Sequence, residues 1–219
     1  MNIIYIHGLD SDANSTKGIL LESYGQQHHA DINVYRPDLN SAPEQVFEQL
    51  VKLVTELNKE DKTVLIGSSL GGYFSTLVSN HTGCPALLLN PSTQPHVTLQ
   101  RFSDISVSNK KSSDELSHSN VLHTTAGGWE ITPADLQWFA DHQLVSINYP
   151  NKIEVLLKED DELLSAELSK DFYQTQGATV TVQAGGDHRF TDFGEQLPMV
   201  IDMYATAFVI DLKRRHYLT

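Results

Sequence analysis

A 219-residue chain with 40% hydrophobic residues has the size and composition of one globular domain with a substantial core. Its formal net charge of -13 argues against nucleic acid and anionic membrane surfaces as partners, because both are recognised through clustered Lys and Arg. The single cysteine, Cys84, excludes an internal disulfide framework, and no stretch approaches the 18 or more apolar residues of a membrane span. The opening run Met1-Asn2-Ile3-Ile4-Tyr5-Ile6 is too short for a signal-peptide core and lacks a basic leader, so the expected location is cytoplasmic.

Six short apolar runs alternate with longer helix-like segments, the pattern of a parallel α/β sheet. They are Ile3-Ile4-Tyr5-Ile6, Ile32-Asn33-Val34-Tyr35, Thr63-Val64-Leu65-Ile66, Ala86-Leu87-Leu88-Leu89, Ile153-Glu154-Val155-Leu156-Leu157 and Thr179-Val180-Thr181-Val182. The second and the last alternate with polar residues and are expected at the sheet edges.

After the first run comes His7-Gly8-Leu9, a glycine-bearing loop placed to aim a backbone N–H into a crevice at the carboxyl end of a strand. The following Asp10-Ser11-Asp12-Ala13-Asn14 has calcium-loop spacing. It is rejected as a calcium loop because Ser15 and Leu21 stand where glycine and glutamate are required. A helix is expected from Ser15 to His28. Another follows Ser41-Ala42-Pro43-Glu44, which reads as a capping box with proline in the first turn, and Val46, Leu50, Leu53, Val54 and Leu57 form its apolar stripe.

The third run ends in Gly67-Ser68-Ser69-Leu70-Gly71, a G-x-S-x-G elbow between a buried strand and an amphipathic segment (Leu70, Tyr73, Phe74, Leu77, Val78). Such a turn presents its serine clear of both elements, and the flanking glycines let strand and helix approach closely. Ser69 is the candidate nucleophile, with a Gly/Ser-rich βα turn as the alternative.

The alternation breaks after Asn90-Pro91. Residues 94–148 exceed what one crossover needs. The first part, from Ser103 to Ser119, is polar. The second opens a helix at Thr132-Pro133-Ala134-Asp135 and carries both tryptophans, Trp129 and Trp138. The expectation is one domain, 1–219, with 94–148 as a lid or cap inside it and Trp138 offering an apolar wall to substrate. The alternative is an excursion packed on the sheet flank.

A serine hydroxyl needs a base within hydrogen-bond reach, itself oriented by a third group, and in elbow-type hydrolases acid and histidine follow in that order on later loops. Lys158-Glu159-Asp160-Asp161-Glu162 follows the fifth run, and Gly185-Gly186-Asp187-His188 the sixth. The acidic run could also open a helix from Asp161 to Gln176, where carboxylates oppose the dipole. A last helix is expected from Glu195 to Lys213, with Lys213-Arg214-Arg215 in its final turn. The other histidines lack metal-ligand spacing, so neither metal nor cofactor is expected.

The motifs I-Y-I-H-G-L-D-S (4–11), G-S-S-L-G-G-Y (67–73), L-L-N-P (88–91), D-E-L-L (161–164) and G-G-D-H-R-F (185–190) together resemble the small YqiA-type esterases of the α/β-hydrolase superfamily. The resemblance runs from the first strand to the last helix and is weakest in the insert. It implies an α/β-hydrolase-like three-layer sandwich with sheet order 2-1-3-4-5-6. It also implies hydrolysis of a small-molecule carboxylic ester or acyl thioester, such as acyl-CoA, through a triad of Ser69, Asp161 and His188. The oxyanion hole would be the N–H groups of Leu9 and Leu70, with His7 and Gly8 beside the substrate. Asp160 stays open as the orienting acid, and a non-catalytic binding module on the same fold is the competing class.

Overall fold

In the computed structural model, residues 1–103 and 120–201 are described. Six strands form one sheet: β1 (Asn2–Ile6), β2 (Asn33–Tyr35), β3 (Thr63–Ser68), β4 (Ala86–Leu89), β7 (Ile153–Lys158) and β8 (Thr179–Gln183). Their order is β2-β1-β3-β4-β7-β8, and every pairing is parallel. Counting only these six, this is the order 2-1-3-4-5-6. The extra numbers belong to a two-stranded antiparallel hairpin, β5 (His123–Thr124) and β6 (Glu130–Ile131), within the insert.

The central strands are buried on both faces, as a parallel sheet covered by crossover helices must be. Successive side chains of β1 divide between two cores. Ile3 and Tyr5 pack beneath α1 (Thr16–His28) and the helical residues 193–201, while Ile4 and Ile6 pack beneath α2 (Pro43–Leu57) and α3 (Leu70–Thr82). Strands β2 and β8, at the edges, are the ones that keep exposed positions.

Two helix starts differ from expectation. Ala42, not Ser41, is the N-cap of α2, and no side chain caps it. Pro43 drives the preceding residue into extended backbone, so the helix begins at the proline and Ser41 lies one residue too far out. The helix expected from Asp161 begins at Ala166 instead (α6, Ala166–Thr175), where Ser165 accepts the Leu168 N–H. The acidic run is therefore loop, which frees Asp161 from the helix end.

In the insert, α4 (Pro95–Thr98) is short, and α5 (Pro133–Asp141) has a full capping box between Thr132 and Asp135. Phe139 of α5 packs on Tyr73 and Phe74 of α3, and the Tyr73 hydroxyl donates to the His142 carbonyl. The hairpin is tied to the loops after β1 and β2: Asp10 accepts from the Ala126 N–H, and Thr125 donates to Asn40. Most of the polar run, 104–119, and the basic cluster Lys213-Arg214-Arg215 lie outside the described residues.

Candidate active site

Ser69 stands between β3 and α3 at φ 56°, ψ -118°, a conformation that costs a non-glycine residue about 1–3 kcal/mol. The surroundings over-determine it. Its N–H donates to the Leu89 carbonyl of β4, and its own carbonyl accepts from Gly72 and Ser92. A Cβ on Gly67 would lie 2.4 Å from the Gly71 carbonyl oxygen, and one on Gly71 would lie 2.1 Å from that of Ile6. Strand, turn and helix can interlock this closely only with glycine at both positions.

His188 reaches Ser69 from the loop after β8. Its Nε2 lies 2.9 Å from the Ser69 Oγ, and its Nδ1 lies 2.8 Å and 3.0 Å from the two Asp161 carboxylate oxygens. One Asp161 oxygen also accepts the N–H groups of Leu163 and Leu164, so the carboxylate is aimed by its own loop. The Asp161 side chain is 2% exposed, whereas Asp160 is solvent-exposed. Of the two adjacent acids, the imidazole therefore meets Asp161.

Asn90, at the end of β4, holds the histidine loop. Its Nδ2 donates to the carbonyls of Asp187 and His188, and its Oδ1 accepts the Lys158 N–H. One buried amide thus clasps the end of β7, just before Asp161, to the loop carrying His188. Glu162 adds a second tie by accepting the His188 N–H. Beneath the loop, the Lys158 ammonium pairs with Asp192 and lies over the Phe190 ring. Burial opposes the Asp192 charge, but hydrogen bonds from Lys158 and Gln196 hold its carboxyl below the ordinary range.

Leu9 and Leu70 line the same crevice as Ser69, and neither N–H has an acceptor among the described residues. Gly8 lets the two loops pass: a Cβ there would sit 3.1 Å from the Ser69 Cβ. Ser69, His188, Leu9 and Leu70 all line one open crevice of about 640 Å³.

A family model described as an uncharacterised protein family, UPF0227, matches residues 2–205. The chain belongs to UPF0227.

Solved structures similar to this UPF0227 member are α/β-hydrolases. Est1E from Butyrivibrio proteoclasticus is 12% identical with a TM-score of 0.70, over 97% of this chain and 88% of that one. The mouse alpha/beta hydrolase domain-containing protein 10 is 16% identical with a TM-score of 0.63, over 94% and 90%. MGS-MChE2, an alpha/beta hydrolase enzyme from a sediment metagenome of the Mar Chica lagoon, Morocco, is 14% identical with a TM-score of 0.62, over 94% and 91%. At these identities the likeness is one of fold.

Two residues expected at the substrate lie elsewhere. His7 is buried behind the crevice, where Nε2 accepts the Leu39 N–H and Nδ1 donates to the Gly8 carbonyl. It shapes the Gly8-Leu9 turn from the rear. Trp138 sits on the flank against Phe47, Phe74 and the His142 ring, because its helix lays that face on α2 and α3. Trp129 is the indole near the site, lining a chamber of about 20 Å³ with Leu9 and Leu70. That chamber holds about one water and is no acyl pocket.

Asn90 and Glu162 stand inside the L-L-N-P and D-E-L-L motifs, whose patterns do not by themselves show a task for either. An Asn-Pro pair closing a buried strand was the available signal, since asparagine tolerates the left-handed backbone found at Asn90, φ 43°.

Proposed function

We propose that this protein is a serine hydrolase that cleaves carboxylic esters or acyl thioesters through an acyl-enzyme. One observation carries the reading: the continuous hydrogen-bond relay from the Ser69 Oγ through the His188 imidazole to the buried Asp161 carboxylate. As the Ser69 oxygen attacks the substrate carbonyl, His188 Nε2 takes its proton, and Asp161 keeps the opposite proton on Nδ1. The carbonyl oxygen turns anionic and accepts from the Leu9 and Leu70 N–H groups, a stabilisation of about 3–4 kcal/mol per donor in comparable sites. His188 then protonates the leaving oxygen or sulfur. A water repeats the sequence on the acyl-Ser69 ester and regenerates the enzyme.

The insert acts in this proposal as a fixed border. Its hairpin is anchored to Asp10 and Asn40, and α4 together with the chain just after it contributes Thr98, Leu99 and Arg101 to the crevice wall. A non-catalytic binding module would need neither a strained serine nor an acid-oriented imidazole. The test is a panel of 4-nitrophenyl esters and acyl thioesters of graded chain length, assayed with wild type and Ser69→Ala. Turnover by wild type that vanishes in the variant supports the hydrolase, and a folded wild type inert to the panel favours the binding module.

A further inference from the structure

The charged lining of the crevice is opposite in sign to the rest of the protein. A chain with 28 acidic residues and 15 Lys and Arg presents Lys17, Arg101 and Arg189 to the space above Ser69, with Asp10 as the only carboxylate there among the described residues. Asp10 is turned to the insert, accepting from the Ala126 N–H with His123 Nε2 3.5 Å away. Among the described residues, none of the three cations lies within 4 Å of a carboxylate.

Lys17 is the most committed of them. It is half-buried in the first turn of α1, and its ammonium donates to the Arg189 carbonyl, which joins α1 to the histidine loop. Burial pushes it down to about 8, Asp187 acting against that shift and Arg189 with it. The first turn of α1 carries no acid, and its N-cap, Ser15, makes no capping bond. A desolvated ammonium, a neighbouring guanidinium and a positive helix end all gain from an incoming anion. Elsewhere the net charge of -13 repels anions, so this cluster gives them a local point of entry.

Building on the hydrolase reading, we propose that Lys17, Arg189 and Arg101 bind an anionic group of the substrate, a phosphate or a carboxylate, while its ester or thioester carbonyl lies at Ser69. The preferred substrates then carry negative charge away from the reacting bond.

Two matched pairs test this and separate the possible sources of the anion. Butanoyl-CoA against the butanoyl thioester of N-acetylcysteamine differs by the phosphates of the leaving group together with the uncharged pantoyl and adenosine parts that carry them, so the salt dependence and the variants isolate the charge. 4-Nitrophenyl hydrogen glutarate against 4-nitrophenyl pentanoate differs by a carboxylate on the acyl group. In at least one pair kcat/KM should favour the anionic member about tenfold or more at low salt, and the ratio should shrink as salt is added. Arg101→Gln/Arg189→Gln, which alters only exposed side chains, should bring that ratio towards one, as should Lys17→Met. Ratios near or below one in both pairs, or a preference that both variants retain, would overturn the proposal. Should no substrate turn over, the hydrolase reading fails separately. The anion site is then judged by calorimetric titration of wild type with CoA and glutarate: saturable binding weakened in Arg101→Gln/Arg189→Gln upholds it, and no binding refutes it.

Discussion

The two ends of the parallel sheet are built differently. Among the described residues, the four non-glycine positions with positive φ are Asp10, Ser69, Asn90 and Phe190, and all lie in loops beyond the carboxyl ends of strands. The amino end has none. It is closed by ordinary polar contacts, with the Met1 ammonium on the Asp61 carboxylate and the Asp31 carbonyl, and the Asn2 N–H on the Lys62 carbonyl. Even its cysteine is quiet, since burial pushes the Cys84 thiol up to about 12. Strain is thus gathered at one end, where buried side chains such as Asn90 hold it in place. Residues at that end should trade stability for activity, and residues at the other should govern stability alone.

The sharpest test of this contrast is at Ser69. Ser69→Ala should lower kcat by about a millionfold with melting close to wild type. Ser69→Gly should be equally inactive but more stable than the alanine variant, because glycine adopts φ 56° without penalty. Equal stability of the two in thermal denaturation would mean that the elbow stores no strain.

Next in size is the acid. Asp161→Asn should cost about 10⁴ in kcat, because the amide can donate to Nδ1 and leave the imidazole in the wrong tautomer, while Asp160→Asn should change little. Steady-state rates on one ester decide between them. The opposite order would move the acid to the neighbouring residue.

Asn90 separates strain from support. Asn90→Gly keeps the backbone relaxed at φ 43° but removes the clasp on the Asp187 and His188 carbonyls, and kcat should fall about a hundredfold as the base drifts. Asn90→Ala should match that loss and also melt lower than the glycine variant. A glycine variant as active as wild type would show that the histidine loop holds its own position.

The smallest effect belongs to the amino end. Asp61→Asn should shift the melting temperature slightly, since the Asp61 carboxylate is itself exposed to solvent, and should leave kcat unaltered. A loss of activity there would break the division between the ends.

Much of the carboxyl end was legible in the sequence because its chemistry is local. The apolar runs marked where strands stop, and Gly67, Ser69 and Gly71 must be neighbours for the elbow to form. Asp161 and His188 each follow a strand, so the parallel order brings them to one edge. The ties across loops were less legible. Nothing in the residues around Asn90 shows that its amide reaches a loop almost a hundred positions on, and the apolar spacing of α5 does not say which face meets α2 and α3. Trp138 was expected at substrate for that reason: one helix sequence serves a flank and a wall equally well. The cationic crevice was hidden similarly, because Lys17, Arg101 and Arg189 become neighbours only through the fold.

The central claim, that Ser69 is a nucleophile activated by His188 and Asp161, is tested most directly by labelling with a fluorophosphonate and mapping the modified peptide by mass spectrometry. Stoichiometric phosphonylation of Ser69 in the wild type, abolished in Ser69→Ala and greatly slowed in His188→Ala, is the expected result. A folded wild type that takes no label, or a label mapped to Ser68 or another residue, would contradict it.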